Sequence, residues 1–230
     1  MNVAILNCDQ IKPEFEQAYG QYPKMFKTLF NKIDQEIIFS EFDVMHGEYP
    51  QDLNSIDLFI ITGSRADAYA DIPWINDLKA FINKLNAEKK NLFGVCFGHQ
   101  IIAQALGGKV AKAESGWHVG VDQLVLLDDS LMDQTTLDLI FSHQDQVIEM
   151  PPTAKLIGTC GSNCPNAAFT IGKHIVALQG HIEFSKSFAK DLLEMRKEIL
   201  GNEKYSRAMN SLVKDTDEVL LTQAVVNFLS

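Results

Sequence analysis

Hydrophobic positions in the first two-thirds of the chain fall into two alternating textures. Short apolar runs rich in β-branched residues occupy positions 2–6, 36–43, 58–62 and 91–95, each bounded by turn residues. Unbroken apolar runs of this length suit strands covered on both faces, as in a parallel sheet. Between them lie helical patterns. The clearest starts near Pro73 and sets Trp74, Ile75, Leu78, Phe81, Ile82 and Leu85 on one face. A second is predicted over 98–106, stopped by Gly107-Gly108.

From residue 109 the texture changes to short strands and turns, at 121–127, 146–149, 155–159, 167–171 and 175–178, with a helical stretch expected near 132–139. This predicts a more antiparallel half of the same sheet. From Ser185 the tail reads as helical, with Leu220, Leu221, Ala224, Val225 and Phe228 as a late apolar stripe. The expectation is one α/β domain over 1–190, with 191–230 as its C-terminal helical extension.

Composition narrows the function classes. At 230 residues, 46% hydrophobic and 22% charged, the chain can bury a full core. Its net charge of -10 argues against a phosphate-backbone binder, so no nucleic-acid partner is expected. The opening Val3-Ala4-Ile5-Leu6 is too short for a signal peptide, and no stretch approaches the roughly 20 apolar residues of a membrane span. A cytoplasmic protein without a membrane partner is the expectation. Cys8, Cys96, Cys160 and Cys164 should then be reduced. Cys160-x-x-x-Cys164 lacks a second pair of ligands, so no metal is expected.

The most informative segment is Gly94-Val95-Cys96-Phe97-Gly98-His99-Gln100. A buried strand runs into Cys96 and a helix starts directly after it. Small residues two positions to either side suit the tight turn of a nucleophile elbow, whose serine form reads Gly-x-Ser-x-Gly. The helix N-terminus aimed at the sulfur favours thiolate, and the Phe97 N–H is a natural oxyanion donor. A structural cysteine in a glycine-containing turn is the competing interpretation. A partner base decides between them.

That base is found where the strand Ile175–Leu178 runs out into Gln179-Gly180-His181-Ile182-Glu183. In extended chain, residues i and i+2 project to one side, so Glu183 can orient the His181 ring. Strands of a parallel sheet end together at the carboxyl edge, where Cys96 and His181 would meet. The other histidines are weaker candidates. His46 and His174 read as surface residues, while His99 and His118 lack a carboxylate at this spacing.

Together these segments resemble the signature pair of class I, triad-type glutamine amidotransferases. Ile60-Ile61-Thr62-Gly63-Ser64, Ala105-Leu106-Gly107-Gly108 and Cys164-Pro165-Asn166-Ala167-Ala168-Phe169 extend the likeness over nearly the whole chain. The resemblance implies a flavodoxin-like three-layer sandwich with a mostly parallel central sheet. It implies Cys96 as nucleophile, His181 as base and then acid, Glu183 as orienter, and Gly63 and Phe97 as oxyanion donors. Gln100 would help hold the substrate, and Ser142-His143-Gln144-Asp145 resembles the loop that lines the pocket. A packing residue is the alternative for His143. The family usually has His-Pro-Glu; Ile182 replaces that proline and leaves the His–Glu placement to be checked.

The implied reaction needs no cofactor. It releases ammonia from glutamine through a γ-glutamyl thioester, with the ammonia passing to a separate synthase subunit or to solvent, because no Ser-Gly-Gly phosphate loop of the GMP-synthase type is present. The segment from Thr62 to Tyr69, with Pro73-Trp74-Ile75, also resembles stand-alone members that act as γ-glutamyl peptidases on glutathione-like compounds. A third reading is a non-catalytic binding or regulatory subunit, disfavoured by an intact Cys96, His181 and Glu183.

Overall fold

The computed structural model describes residues 1–230. Eleven strands are present: β1 Asn2–Asn7, β2 Ile38–Asp43, β3 Leu58–Ile61, β4 Leu92–Val95, β5 Lys109–Lys112, β6 His118–Leu126, β7 Thr136–His143, β8 Asp145–Glu149, β9 Ala154–Thr159, β10 Ala168–Ile171 and β11 Ile175–Leu178. Seven helices accompany them: α1 Pro13–Tyr19, α2 Tyr22–Phe30, α3 Pro73–Ala87, α4 Phe97–Ala105, α5 Lys186–Met195, α6 Lys197–Ser211 and α7 Glu218–Leu229.

Nine strands form one sheet in the order β2-β1-β3-β4-β11-β10-β9-β6-β7. From β2 to β11 every pair is parallel; from β11 to β7 every pair is antiparallel. The expected two halves of one sheet are therefore both present.

Alternation along β1 explains the layers. Val3 and Ile5 enter a core shared with Phe26, Leu29 and Phe30 of α2 and with Leu221 and Val225 of α7. Ala4 and Leu6 enter a second core with Ile75, Leu78 and Ile82 of α3 and Ile101 of α4. Both faces are covered, which is why these strands read as unbroken apolar runs. The result is a three-layer sandwich, and no helix is long and apolar enough to cross a membrane.

Four expectations are corrected. The helix expected near 132–139 is instead β7, pairing with β6 from Thr136 to His143. Leu137, Leu139 and Phe141 recur with period two and all point into the core. The strand at 146–149 lies outside the main sheet and pairs with β5 as a two-stranded ribbon. The βα alternation ends at α4, before two-thirds of the chain. Finally, His174 is buried and its Nε2 pairs with Asn86 Oδ1 at 2.9 Å. The helices α1 and α2 were not anticipated, although Tyr22, Met25, Phe26, Leu29 and Phe30 carry the helical period.

The turn between β4 and α4 fixes the geometry of the sheet edge. Cys96 has φ 54° and ψ -102°, in the left-handed half of conformational space. Such a backbone costs about 1–3 kcal/mol and persists only when its surroundings enforce it. Two glycines let α4 settle close enough to do so. A Cβ on Gly98 would stand 2.4 Å from Ile61 O, and one on Gly94 would stand 2.6 Å from Gly98 C.

Gly98→Ala should therefore push α4 off β3 and lower stability by about 1–3 kcal/mol, read as a fall in the urea midpoint. An unchanged midpoint would show that the close contact is not needed.

Candidate active site

Cys96 and His181 emerge at one edge because β4 and β11 pair in parallel, with Leu178 opposite Val95. The Cys96 N–H donates to Leu178 O at 2.8 Å, tying the turn to the end of β11. His181 is anchored from the other side by its N–H to Ile140 O of β7, 2.7 Å away. Gly63 is pressed against both: a Cβ there would lie 3.2 Å from His181 Cε1 and 3.8 Å from Cys96 Cβ.

His181 Nδ1 meets Glu183 Oε1 at 2.7 Å, so the ring presents its other nitrogen to the thiol. This contact answers the question raised by Ile182. The segment bends after β11, and Ile182 turns into the core while its two neighbours meet on the other side. Burial alone would depress His181, but the Glu183 carboxylate and the facing Cys96 thiol outweigh it and raise its pKa to about 10. Glu183 is fully buried, and its Oε2 has no hydrogen-bond partner, so His181 is its sole partner. The Phe184 ring stacks on the imidazole at 3.7 Å between centroids.

Two backbone amides beside Cys96 have no hydrogen-bond partner within the chain. The first hydrogen bond of α4 is from Gln100 N–H to Cys96 O, at 3.1 Å, so the Phe97 N–H is one that the helix leaves unpaired. The Gly63 N–H makes no hydrogen bond within the chain. Its loop is held by Asp9, which accepts from Arg65 Nε at 2.8 Å, from Nη2 at 2.7 Å and from the Arg65 backbone N–H at 2.9 Å. Thr62 Oγ1 adds a tie by accepting from Cys8 N–H at 3.0 Å.

These groups open into a cavity of about 270 Å³. Of the residues singled out in the sequence, Gly63, Cys96, Gln100, Ser142, His143, Gln144 and His181 line it. Glu183 lies behind His181, and the Phe97 side chain is buried beneath, against Trp74. The Gln100 amide nitrogen donates to Asp145 O at 2.7 Å and Gln179 Oε1 at 3.1 Å, which leaves its oxygen for a ligand. Asp145 lies beside Asp67, and burial together with that neighbour raises its pKa.

His143 lines the cavity but is not a second base. Its Nδ1 faces Asp145 O at 2.9 Å and its Nε2 faces His118 Nδ1 at 3.1 Å, so neither nitrogen points at the thiol. Burial, with His118 beside it, pushes its pKa well below the usual histidine value and keeps it neutral. His118 finds a carboxylate after all, Asp122 four residues on, at 2.8 Å. It is the first residue of β6. His99 is buried against Phe169, and burial drives its pKa down to about 3. His46 is exposed.

Sequence reasoning missed several cavity residues, among them Tyr22, Lys112, Trp117, Leu192 and Arg196. None belongs to a local motif; each is brought in from a segment remote in sequence from Cys96 and His181 or from any motif around them. No group of three His, Cys, Asp or Glu side chains is arranged to hold a metal ion.

Known proteins resemble this chain in sequence and fold. The sequence pattern of glutamine amidotransferase class-I matches residues 17–197. Gamma-glutamyl peptidase 2 of Arabidopsis thaliana is 32% identical, over 96% of this chain and 93% of its own length. Gamma-glutamyl peptidase 3 of the same plant is 30% identical, over 98% and 94%. A glutamine amidotransferase crystal structure from Thermotoga maritima superposes with TM-score 0.75 at 22% identity, covering 99% of this chain and 95% of that one, a likeness of fold. The chain belongs to the class-I glutamine amidotransferase family, as a cysteine-dependent hydrolase of that type.

Proposed function

We propose that the protein hydrolyses γ-glutamyl amide bonds through a γ-glutamyl thioester on Cys96. The observation that carries this reading is the buried His181–Glu183 pair, 2.7 Å apart, set against a cysteine at a strand-to-helix turn. The Cys96 thiolate adds to the γ-carbonyl carbon, and the resulting oxyanion takes hydrogen bonds from the Gly63 and Phe97 N–H groups. His181 gives its proton to the departing nitrogen as the C–N bond breaks. Water then enters, His181 takes a proton from it, and the hydroxide displaces the sulfur to release glutamate. Oxyanion donors contribute about 10²–10³ in rate and the acid–base group about 10²–10⁴.

Substrate contacts follow from the cavity's charges. Gln100 Oε1 and the Asp67–Asp145 pair suit the α-ammonium of the glutamyl moiety, and the backbone of the His143–Asp145 turn suits its carboxylate. With glutamine the leaving group is ammonia, which goes to a separate synthase subunit or to solvent. A second reading has the same chemistry with an α-amine leaving, from γ-glutamyl peptides. The relatives named gamma-glutamyl peptidases, matched over nearly their full length, favour it. So does a cavity that continues past Cys96 to Tyr22, Leu192 and Arg196. Either reaction needs a reduced Cys96, which suits a reducing compartment such as the cytosol.

Turnover of glutamine, glutathione and a γ-glutamyl dipeptide, measured side by side, tests the reading. Cys96→Ala should lower each active rate by about 10⁴-fold or more; a variant as fast as wild type would sink the mechanism. Glu183→Gln should lower kcat by about 10²–10⁴-fold and move the NMR titration of His181 down toward the ordinary histidine range. Because folding raises this pKa, the stability it contributes is complete below about pH 6.5 and is lost as pH rises through about 10. Thermal melts should therefore show a smaller alkaline loss in Glu183→Gln than in wild type.

A further inference from the structure

Arg196 stands at the corner between α5 and α6 and lines the same cavity as Cys96. Its Nη1 donates to Ser142 Oγ at 2.7 Å, and its guanidinium lies over the Trp117 ring, 4.7 Å from the centroid. Both partners are uncharged. No carboxylate comes within 4.0 Å of it, whereas the other cavity arginine, Arg65, is bound through two of its nitrogens to Asp9. A guanidinium taken partly out of water and held rigidly by a hydroxyl and a ring face still lacks an anion, and it has donors to spare in a fork that matches a carboxylate.

The position of Arg196 says which anion. His181 must protonate the leaving nitrogen, so the leaving group sits on the His181 side of the scissile bond. On that side the wall is a stack: Phe184 on His181 at 3.7 Å, then Tyr22 on Phe184 at 6.3 Å. Leu192 of α5 and Arg196, just past the end of that helix, complete it. The glutamyl end already has Gln100 and the Asp67–Asp145 pair.

We infer that Arg196 binds a carboxylate carried by the leaving group, so that the preferred substrates are γ-glutamyl peptides whose leaving amino acid has a free α-carboxylate. This rests on the hydrolase reading above and selects among its substrates. Glutamine, which loses only ammonia, offers Arg196 nothing on that side.

The test uses the ligand's charge first. With Cys96→Ala to prevent cleavage, γ-glutamylalanine should bind about tenfold or more tightly than its C-terminal amide, by calorimetry at one pH. Adding Arg196→Gln should erase that difference, and Arg196→Lys should keep part of it. Equal affinity for acid and amide overturns the inference without touching Arg196, and so does a preference that survives Arg196→Gln. Wild-type turnover of γ-glutamylalanine and glutamine, run in parallel, separates the two claims. Cleavage of γ-glutamylalanine with no acid preference leaves the hydrolase reading standing and removes Arg196 from it. Cleavage of neither compound ends both.

Discussion

Cys96 and His181 meet because β4 and β11 lie side by side and parallel. The Leu178–Val95 register puts the residues after each strand on one edge, and the Cys96 N–H to Leu178 O bond locks the two ends together. Everything else at the edge is arranged around this pair. On one flank β3 delivers Gly63 to within contact of both side chains. On the other, β7 holds the His181 backbone and supplies Ser142 and His143. The parallel half thus brings Cys96 with the unpaired Gly63 and Phe97 amides, and the antiparallel half brings the support for His181.

Charge is the second constraint. Glu183 is buried without any donor but His181, and a carboxylate so placed is tolerable only beside a cation. The raised affinity of His181 for its proton is the direct result. His143, by contrast, is buried beside His118, so two histidines lining one cavity have proton affinities shifted in opposite directions. Environment, not residue type, separates their roles.

Much of the fold and the triad was legible in the sequence. Strands covered on both faces announce themselves as apolar runs, and a nucleophile elbow is a local pattern: Gly94, Cys96 and Gly98 lie within five residues. His181 and Glu183 are also close in sequence, so their pairing followed from extended geometry alone. What the sequence concealed was non-local. The segment near 132–139 mixes Leu137 and Leu139 with polar residues, and only its eight-residue pairing with β6 decides for a strand. His174 looked exposed beside Lys173, yet its partner Asn86 lies on another element. Arg196 could not be found at all, since its meaning depends on Trp117 and Ser142 being folded against it.

The separation of nucleophile and base along the chain has a consequence for biosynthesis. A ribosome adds about 5–20 residues per second, so Cys96 is made several seconds before His181. During that interval β4 has no β11 beside it, and the thiol has neither its imidazole nor the strand end that holds its backbone. The nascent protein therefore carries a cysteine with no base beside it. The thiol gains its imidazole neighbour only once the second half of the sheet has closed on the first, so the site is completed as a last act of folding rather than built up along with the chain.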